Sequence, residues 1–219
     1  MEIPDHVLKK WQNIVNTMAV LIGVPAGLIM RIDESDIEVL VSSQTKDNPY
    51  HPGEREQLFG SGLYCERVIR TRQELLVPNA LSDEDWKDNP DVKLNMISYL
   101  GLPLLLPNGT PFGTICVLDN KENPYSKTYI DLIRNFRDNI ENNLELLYVN
   151  HILGVENRRL IEYVSETKIL RGTLEICRIC KSVKDDKGHW HMLEEYISKH
   201  SEAAFSHCMC PECEKKETL

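Results

Sequence analysis

The chain has no apolar run long enough to cross a bilayer. Its longest mostly apolar stretch, Ala19 to Met30, is broken by Gly23, Pro25 and Gly27, short of the roughly 20 residues of a spanning helix. The first five residues, Met-Glu-Ile-Pro-Asp, lack the basic stretch and apolar run of a secretory signal. The sequence therefore predicts a cytoplasmic protein, with reduced cysteines and no membrane partner. A basic excess is missing too. The 25 Lys and Arg against 34 Asp and Glu give a net charge of -9, which repels phosphate backbones and argues against a nucleic-acid partner. Proline is absent from Ser126 until Pro211, which leaves room for a long uninterrupted helix. Cysteine is scarce in most of the chain: Cys65 and Cys116 stand alone before Cys177, and the other five of the seven crowd into the last 43 residues. The odd count excludes a complete disulfide framework.

With 219 residues, 42% of them apolar and 27% charged, the chain can bury at least one proper core. Asp5 to Ile22 carries Val7, Leu8, Trp11, Ile14, Val15, Met18 and Leu21 at helical spacing, with Asp5 placed as a cap after Pro4. Ala26–Ile32 and Ile37–Val41, separated by Asp33-Glu34-Ser35-Asp36, form a hairpin pattern. A short helix over Leu63–Thr71 and a brief strand over Leu75–Val77 follow a polar loop. The runs Ile97–Leu106 and Pro111–Leu118 flank an Asn108-Gly109 turn, so two long strands meet in the middle of a sheet. Ile130, Ile133, Phe136, Ile140, Leu144 and Leu147 then recur at helical steps. A helix from Ser126 to Lys168 would run about 65 Å. That exceeds one small domain, so part of it meets another chain or bridges to the next module; Gly154 and several asparagines weaken the pattern, and the sequence leaves open whether the helix is continuous past 154.

The tail holds Cys177-Arg178-Ile179-Cys180 and Cys210-Pro211-Glu212-Cys213, two CxxC pairs separated by 29 residues. Two such bites complete the four-sulfur shell that structural zinc favours, whereas redox CxxC chemistry uses a single motif. Cys177, Cys180, Cys210 and Cys213 are therefore the predicted metal ligands, with zinc as structural cofactor. Cys208 reads as a spare thiol, although it and His207 lie close enough to exchange with one ligand. Trp190, Leu193, Tyr196 and Ile197 are spaced to fall on one helical face and could pack over the metal. From Arg171 onward, eight Lys and Arg oppose nine Asp and Glu, which argues for a protein contact or a structural cap over a phosphate-binding surface.

The stretches Gly62-Leu63-Tyr64-Cys65, Leu76-Val77-Pro78-Asn79, Trp86-Lys87-Asp88-Asn89-Pro90, Ser98 through Leu104, and Phe112 through Asp119 follow one another in the order of a known family: residues 5 to 150 resemble a GAF domain. The resemblance implies an α+β fold: a six-stranded antiparallel sheet, helices on one face, and a ligand pocket under loops on the other. The tail is similar to a two-CxxC module found at the ends of bacterial signalling proteins, with Cys208 standing where that module usually carries glycine. The implied layout is a sensor domain over 1–150, a helical connector over 151–170 and a zinc-stapled module over 171–219.

The resemblance also implies the site. Tyr64, Cys65, Trp86, Met96, Ser98, Tyr99 and Cys116 are the expected ligand-binding residues, Trp86 and Tyr99 as flat walls and Ser98 as a hydrogen-bond donor, with core packing the competing role for each aromatic. GAF-type methionine sulfoxide reductases need a cluster of pocket thiols; only Cys65 and Cys116 are present here, and Asp91 to Ser98 holds none. Cyclic-nucleotide binders are matched at Asn120-Lys121 and Phe136 but not at Ile140-Glu141. Glu66, not histidine, follows Cys65, which speaks against bilin attachment. The expected function is a non-enzymatic sensor, binding a small molecule or reporting redox state and relaying it to a signalling partner protein through a homodimeric helix. The alternative is a thiol-dependent methionine sulfoxide reductase.

Overall fold

The computed structural model describes residues 2–166 and 173–217. The chain divides into two compact units, Met1–Ile152 and Leu153–Leu219. In the first, α1 (Asp5–Ile22) begins after Pro4, whose fixed φ suits a helix start. Proline holds the capping position and Asp5 is the first helical residue, where its charge favours the N-terminal dipole. The helix buries Val7, Trp11, Val15, Met18, Ala19 and Ile22. Strands β1 (Ala26–Asp33), β2 (Asp36–Ser42), β3 (Arg55–Gln57), β4 (Leu75–Val77), β5 (Ser98–Leu105) and β6 (Pro111–Asp119) form one sheet in the order β3-β2-β1-β6-β5-β4. All of its pairings are antiparallel.

Two corrections concern the sheet and its cover. β3 reads Arg-Glu-Gln, all exposed, and carries no apolar alternation that could announce a strand. Helices also lie on both faces, not one. α1 and α3 (Lys127–Glu166) share a core with Ile29, Leu100, Leu102, Ile115 and Val117. α2 (Tyr64–Thr71) packs on the opposite face, among Leu28, Met30, Tyr99 and Cys116. The side-chain period of two in each strand makes this separation.

α3 runs through Gly154 as one helix, which settles the continuity that the sequence leaves open. One glycine in a helix interior costs only about 1 kcal/mol, less than uninterrupted hydrogen bonding on either side supplies; Lys168 lies outside the described residues. Ile133, Ile140 and Leu144 of α3 are fully buried, and the Trp11 indole Nε1 donates to Asn143 Oδ1 at 3.2 Å. On the sequence alone, Trp11, Ile14, Met18, Ile140, Leu144 and Leu147 carry more apolar surface than one sheet face needs and point to a dimer contact; the structure corrects this, because Trp11, Met18, Ile140 and Leu144 are inside the core of a single chain and Ile14 and Leu147 are half-buried against it. The exposed apolar side chains of α3 lie further along it, from Leu146 and Val149 through Ile152, Leu153 and Val155 to Leu160, Ile161 and Val164.

In the second unit, β7 (Val183–Lys184) pairs with β8 (Trp190–His191) around a turn fixed by Asp185, which accepts from the Lys187 and His189 N–H groups and from His191. The His191 hydrogen bond, first among these contacts, holds the Asp185 carboxyl well below the usual range. Trp190 sits in this strand and is exposed, so it does not share a helical face with Leu193, Tyr196 and Ile197; those three are half-buried on α4 (Leu193–His200). The last element is α5 (Pro211–Glu217).

The centre of the sheet depends on Gly113. Its partners are Arg31 on β1 and Leu104 on β5, and a Cβ added there would sit 1.8 Å from the Met30 carbonyl oxygen. Because that neighbour is backbone, Gly113→Ala must displace the β1–β6 pairing, a cost of about 3 kcal/mol. Urea denaturation followed by far-UV circular dichroism is expected to show a clearly lowered midpoint.

Candidate functional site

On the face of the sheet away from α1, a cavity of about 800 Å³ opens among Leu28, Met30, Ile37, Val39, Cys65, Tyr99, Cys116 and Leu118, with Tyr50, Glu54, Glu56, Pro90, Asp91, Lys93 and Leu94 closing its rim. The volume suits a small organic molecule. Strand alternation supplies the floor, and two loops supply the roof. The first loop is pinned by Asn48, which donates to Ser42 Oγ and Ser43 O, and by Ser42 Oγ, which donates to Tyr50 O. The second loop ends in a 3-10 helix, Pro90–Leu94, capped by Asn89: its side-chain oxygen accepts from Asp91 N at 2.9 Å while its amide donates to Gly62 O at 2.7 Å. The loops are latched together where Tyr50 OH donates to Asp91 Oδ1 at 2.7 Å.

Asp91 is the notable charge. Burial pushes its carboxyl up to about 6, opposed by the Tyr50 hydrogen bond and reinforced by Glu56. Burial, with Asp91 alongside, also pushes the Tyr50 phenol far up, so Tyr50 is a neutral donor at any physiological pH.

Two thiols complete the floor. Cys65 Sγ lies 3.3 Å from Thr114 Oγ1 and 3.6 Å from Tyr99 OH, and its thiol is lowered by the hydrogen bond from Cys116, against burial. Cys116 is raised by donating to Cys65 and by its burial. Tyr99 reaches Cys65 because Gly101 leaves room: a Cβ there would meet the Tyr99 hydroxyl at 2.0 Å. Cys65 is held on α2, whose start is fixed by Glu66. Burial would raise that carboxyl, but the N–H groups of Gly60 and Gly62 and the Arg70 guanidinium hold it below the usual range.

Of the seven residues expected to bind ligand, Cys65, Tyr99 and Cys116 line the cavity. Tyr64 and Met96 are buried in the cluster behind it. Ser98 is placed away from the expected contact, because its hydroxyl donates to Pro78 O and accepts from Asn123 N, tying two turns together. Trp86 is one ring removed: it packs on Tyr64 at 5.1 Å between centroids, and Tyr64 stacks on Tyr99 at 4.7 Å. The loop's contribution to the cavity comes from Pro90, Asp91, Lys93 and Leu94. Tyr50 and Asp91 escaped sequence reasoning because they lie 41 positions apart; only the Asn89-Pro90-Asp91 cap signature hints at a fixed carboxylate.

A family profile described as a GAF domain matches residues 12–145. The chain belongs to the GAF domain family. Solved structures agree on the fold. The GAF domain of an Acinetobacter phosphoenolpyruvate-protein phosphotransferase is 18% identical, with a TM-score of 0.52, covering 69% of this chain and 86% of its own. The Thermosynechococcus elongatus PixJ GAF domain, in its blue-light absorbing form, is 12% identical, with a TM-score of 0.56 and coverage of 72% and 98%. A type II free methionine-R-sulfoxide reductase from Thermoplasma acidophilum is 11% identical, with a TM-score of 0.51 and coverage of 64% and 93%. No curated protein matches the sequence. GAF domains are sensor modules of signalling proteins, and some proteins of the fold are reductases.

In the C-terminal unit, each CxxC pair forms its own bite. The Cys177 N–H donates to Ser182 O, and the turn passes through Lys181 at φ 63°. Cys180 is lowered to about 7 by the Ser182 hydroxyl, then by backbone N–H groups and Cys177. Cys210 is lowered by the N–H of Cys213, by the Cys213 thiol and by the Glu212 N–H. Thiolates made accessible in this way suit a soft metal. Among the described residues, no three or more His, Cys, Asp or Glu side chains gather into a metal-holding group, so the structure supports each two-sulfur bite and not the four together.

The ring stack makes Trp86 a reporter. A molecule that moves Tyr99 changes the packing of Tyr64 and hence the surroundings of the indole. Cavity occupancy is expected to shift tryptophan emission, with the shift lost in Trp86→Phe and retained in Trp190→Phe; titrations of the three proteins check it.

Proposed function

We propose that the protein is a cytoplasmic, non-enzymatic signal-transduction sensor, in which the GAF cavity binds a small molecule and the change passes to a partner protein through α3 and the C-terminal unit. The supporting observation is that one sheet forms both the cavity floor and the seat of α3. Cys116 faces the cavity while its neighbours Ile115 and Val117 pack in the cluster containing Ile133, Ile140 and Leu144 of α3. A ligand that presses on Tyr99 or Cys116 therefore shifts strands whose other face carries the helix. Mass spectrometry of the full chain under native conditions tests the reading; a retained small molecule is expected, and a cavity empty on every preparation overturns it.

The relay calls for a homodimer. Leu146, Leu153 and Leu160 recur every seven residues and are 62%, 54% and 58% exposed, with Val149 between the first two. Exposed apolar residues at heptad spacing are covered by a second copy in parallel coiled coils. Light scattering at micromolar concentration is expected to give about twice the 25.3 kDa of one chain, falling to the monomer in Leu153→Glu/Leu160→Glu. A mass of one chain, unchanged on concentrating, overturns the dimer.

Zinc completes the proposal. Cys177, Cys180, Cys210 and Cys213 would hold it, and the ion would cross-link a unit with little core of its own. Elemental analysis is expected to find one zinc per chain, with most of it lost in Cys180→Ser while the sensor domain stays folded. Zinc absent from the parent, or fully retained in the variant, excludes the assignment.

The reductase reading has one observation in its favour, the hydrogen-bonded Cys65–Cys116 pair on the cavity floor. Turnover of free methionine sulfoxide with a thioredoxin system would establish it over the sensor.

A further inference from the structure

We propose that the ligand of the cavity is a small organic cation, an amine or amidine with an apolar body, whose charged head is taken by Asp91. This assignment rests on the sensor reading and adds the chemical class of what is sensed. Asp91 is 8% exposed and lines the cavity. Its backbone is fixed from both sides, by Asn89 on its N–H and by the Met96 N–H on its carbonyl. One carboxylate oxygen accepts from Tyr50; the other accepts from no described residue and is open to the cavity. Among the described residues no Lys, Arg or His nitrogen comes within 4 Å of it. A buried carboxylate without a cation is costly, and one hydrogen bond from a neutral phenol offsets only part of that cost. A positively charged ligand head supplies what the protein leaves out.

The rest of the lining fits the same class. Glu54 and Glu56 add negative charge at the rim. Of the two cations there, Arg55 is engaged by Asp33 at 2.7 Å and Glu38 at 3.6 Å, and Glu54 is engaged by His51 at 3.0 Å, leaving Lys93 against Asp91 and Glu56. An anionic ligand would meet net repulsion, while Leu28, Met30, Val39 and Leu118 offer an apolar body its contacts.

The charge on Asp91 also sets a pH window. The groups that act on it or sense it are Tyr50 from the first loop, Glu56 on β3, Tyr64 and Cys65 on α2, Tyr99 on β5 and Cys116 on β6. The three tyrosines are all raised and so stay neutral, and Glu56 raises the carboxyl further. With a value near 6, the carboxylate is ionised above that pH and protonated below it. Attraction for a cation is present at neutral pH and lost in acid.

The alternative is that Tyr50 and Asp91 form only a latch between loops. Three probes with one skeleton separate the two roles: 2-phenylethylamine, 2-phenylethanol and 3-phenylpropionate, titrated calorimetrically into the full chain. The amine stays protonated throughout. At about pH 7.5 the amine is expected to bind at least about tenfold tighter than the other two, as a hydrogen bond to a charged partner warrants. The preference should collapse at about pH 5 as Asp91 protonates. It should also collapse in Asp91→Asn, which keeps a polar partner for Tyr50 but no charge, and persist in Tyr50→Phe, which breaks the latch but keeps the charge. The pH limb reads the same carboxylate without any substitution, so a poorly folded variant does not shelter the idea. Equal binding of the three, tighter binding of the propionate, an amine preference intact in Asp91→Asn, or no binding at all overturns the cation assignment. A neutral or anionic molecule retained on the native protein would remove the cation class while leaving the sensor standing.

Discussion

The GAF domain is governed by a sheet whose central strands are covered on both faces. In β1, Leu28 and Ile29 point to opposite faces and both are buried, and Ile115 and Cys116 repeat this on β6. Apolar alternation normally leaves one polar face; burial of both requires two covers. α1 and α3 make a close-packed cover on one side, with Trp11 and Ile140 fully enclosed. On the other side, α2 covers only part of the surface and loops span the remainder. Loops must satisfy their own backbone polar groups and cannot fill space as densely as a helix face. The cavity lies where that cover is thinnest, over the middle strands, so its position follows from the fold.

Most of this frame was legible in the sequence, because it rests on periodicity. The spacing of Val7, Trp11, Val15 and Met18 places α1, and the turn at Asn108-Gly109 places β5 beside β6. What escaped is what periodicity does not encode. β3 has only three residues and no buried side chain. The Tyr50–Asp91 contact joins two irregular loops, and nothing local to either residue specifies the other. Ser98 reads from the sequence as a donor to a bound ligand, yet its partners are backbone groups of Pro78 and Asn123, which only the closed sheet brings near. Trp11, Met18, Ile140 and Leu144 were identified as apolar, but whether one chain covers them depends on how two helices far apart in sequence share a single sheet face.

The two faces of the sheet also bound what a ligand can do. A conformational relay delivers no more free energy than the difference in ligand affinity between two states, typically 1–3 kcal/mol. That is small against the burial of Ile133, Ile140 and Leu144, so binding cannot detach α3 from the sheet. It is enough to change the tilt or register of side chains that already interdigitate with Ile115 and Val117. Output through a shift of α3 is therefore compatible with a sensor domain that stays fully folded.

The C-terminal unit has the opposite balance. Among its described residues Val183 is the one fully buried apolar side chain, while Ile179, Trp190, Met192 and Met209 are 92%, 54%, 68% and 53% exposed. A hairpin of two-residue strands and two short helices cannot hold a fixed arrangement on one buried valine, because ordering each residue costs roughly 1.5 kcal/mol. Something outside its own packing must contribute. Two CxxC bites, each with one thiol lowered by hydrogen bonding, Cys180 by the Ser182 hydroxyl and Cys210 by the Cys213 N–H, would offer a cross-link that needs no core, and the uncovered indole and thioethers would offer a surface for a partner to bury. With the proposed metal bound, a cross-linked scaffold would present its apolar side chains in one arrangement, whereas an unlinked tail would have to be ordered by a partner at the cost of affinity. Metal occupancy would thus set how strongly the output of this protein is heard.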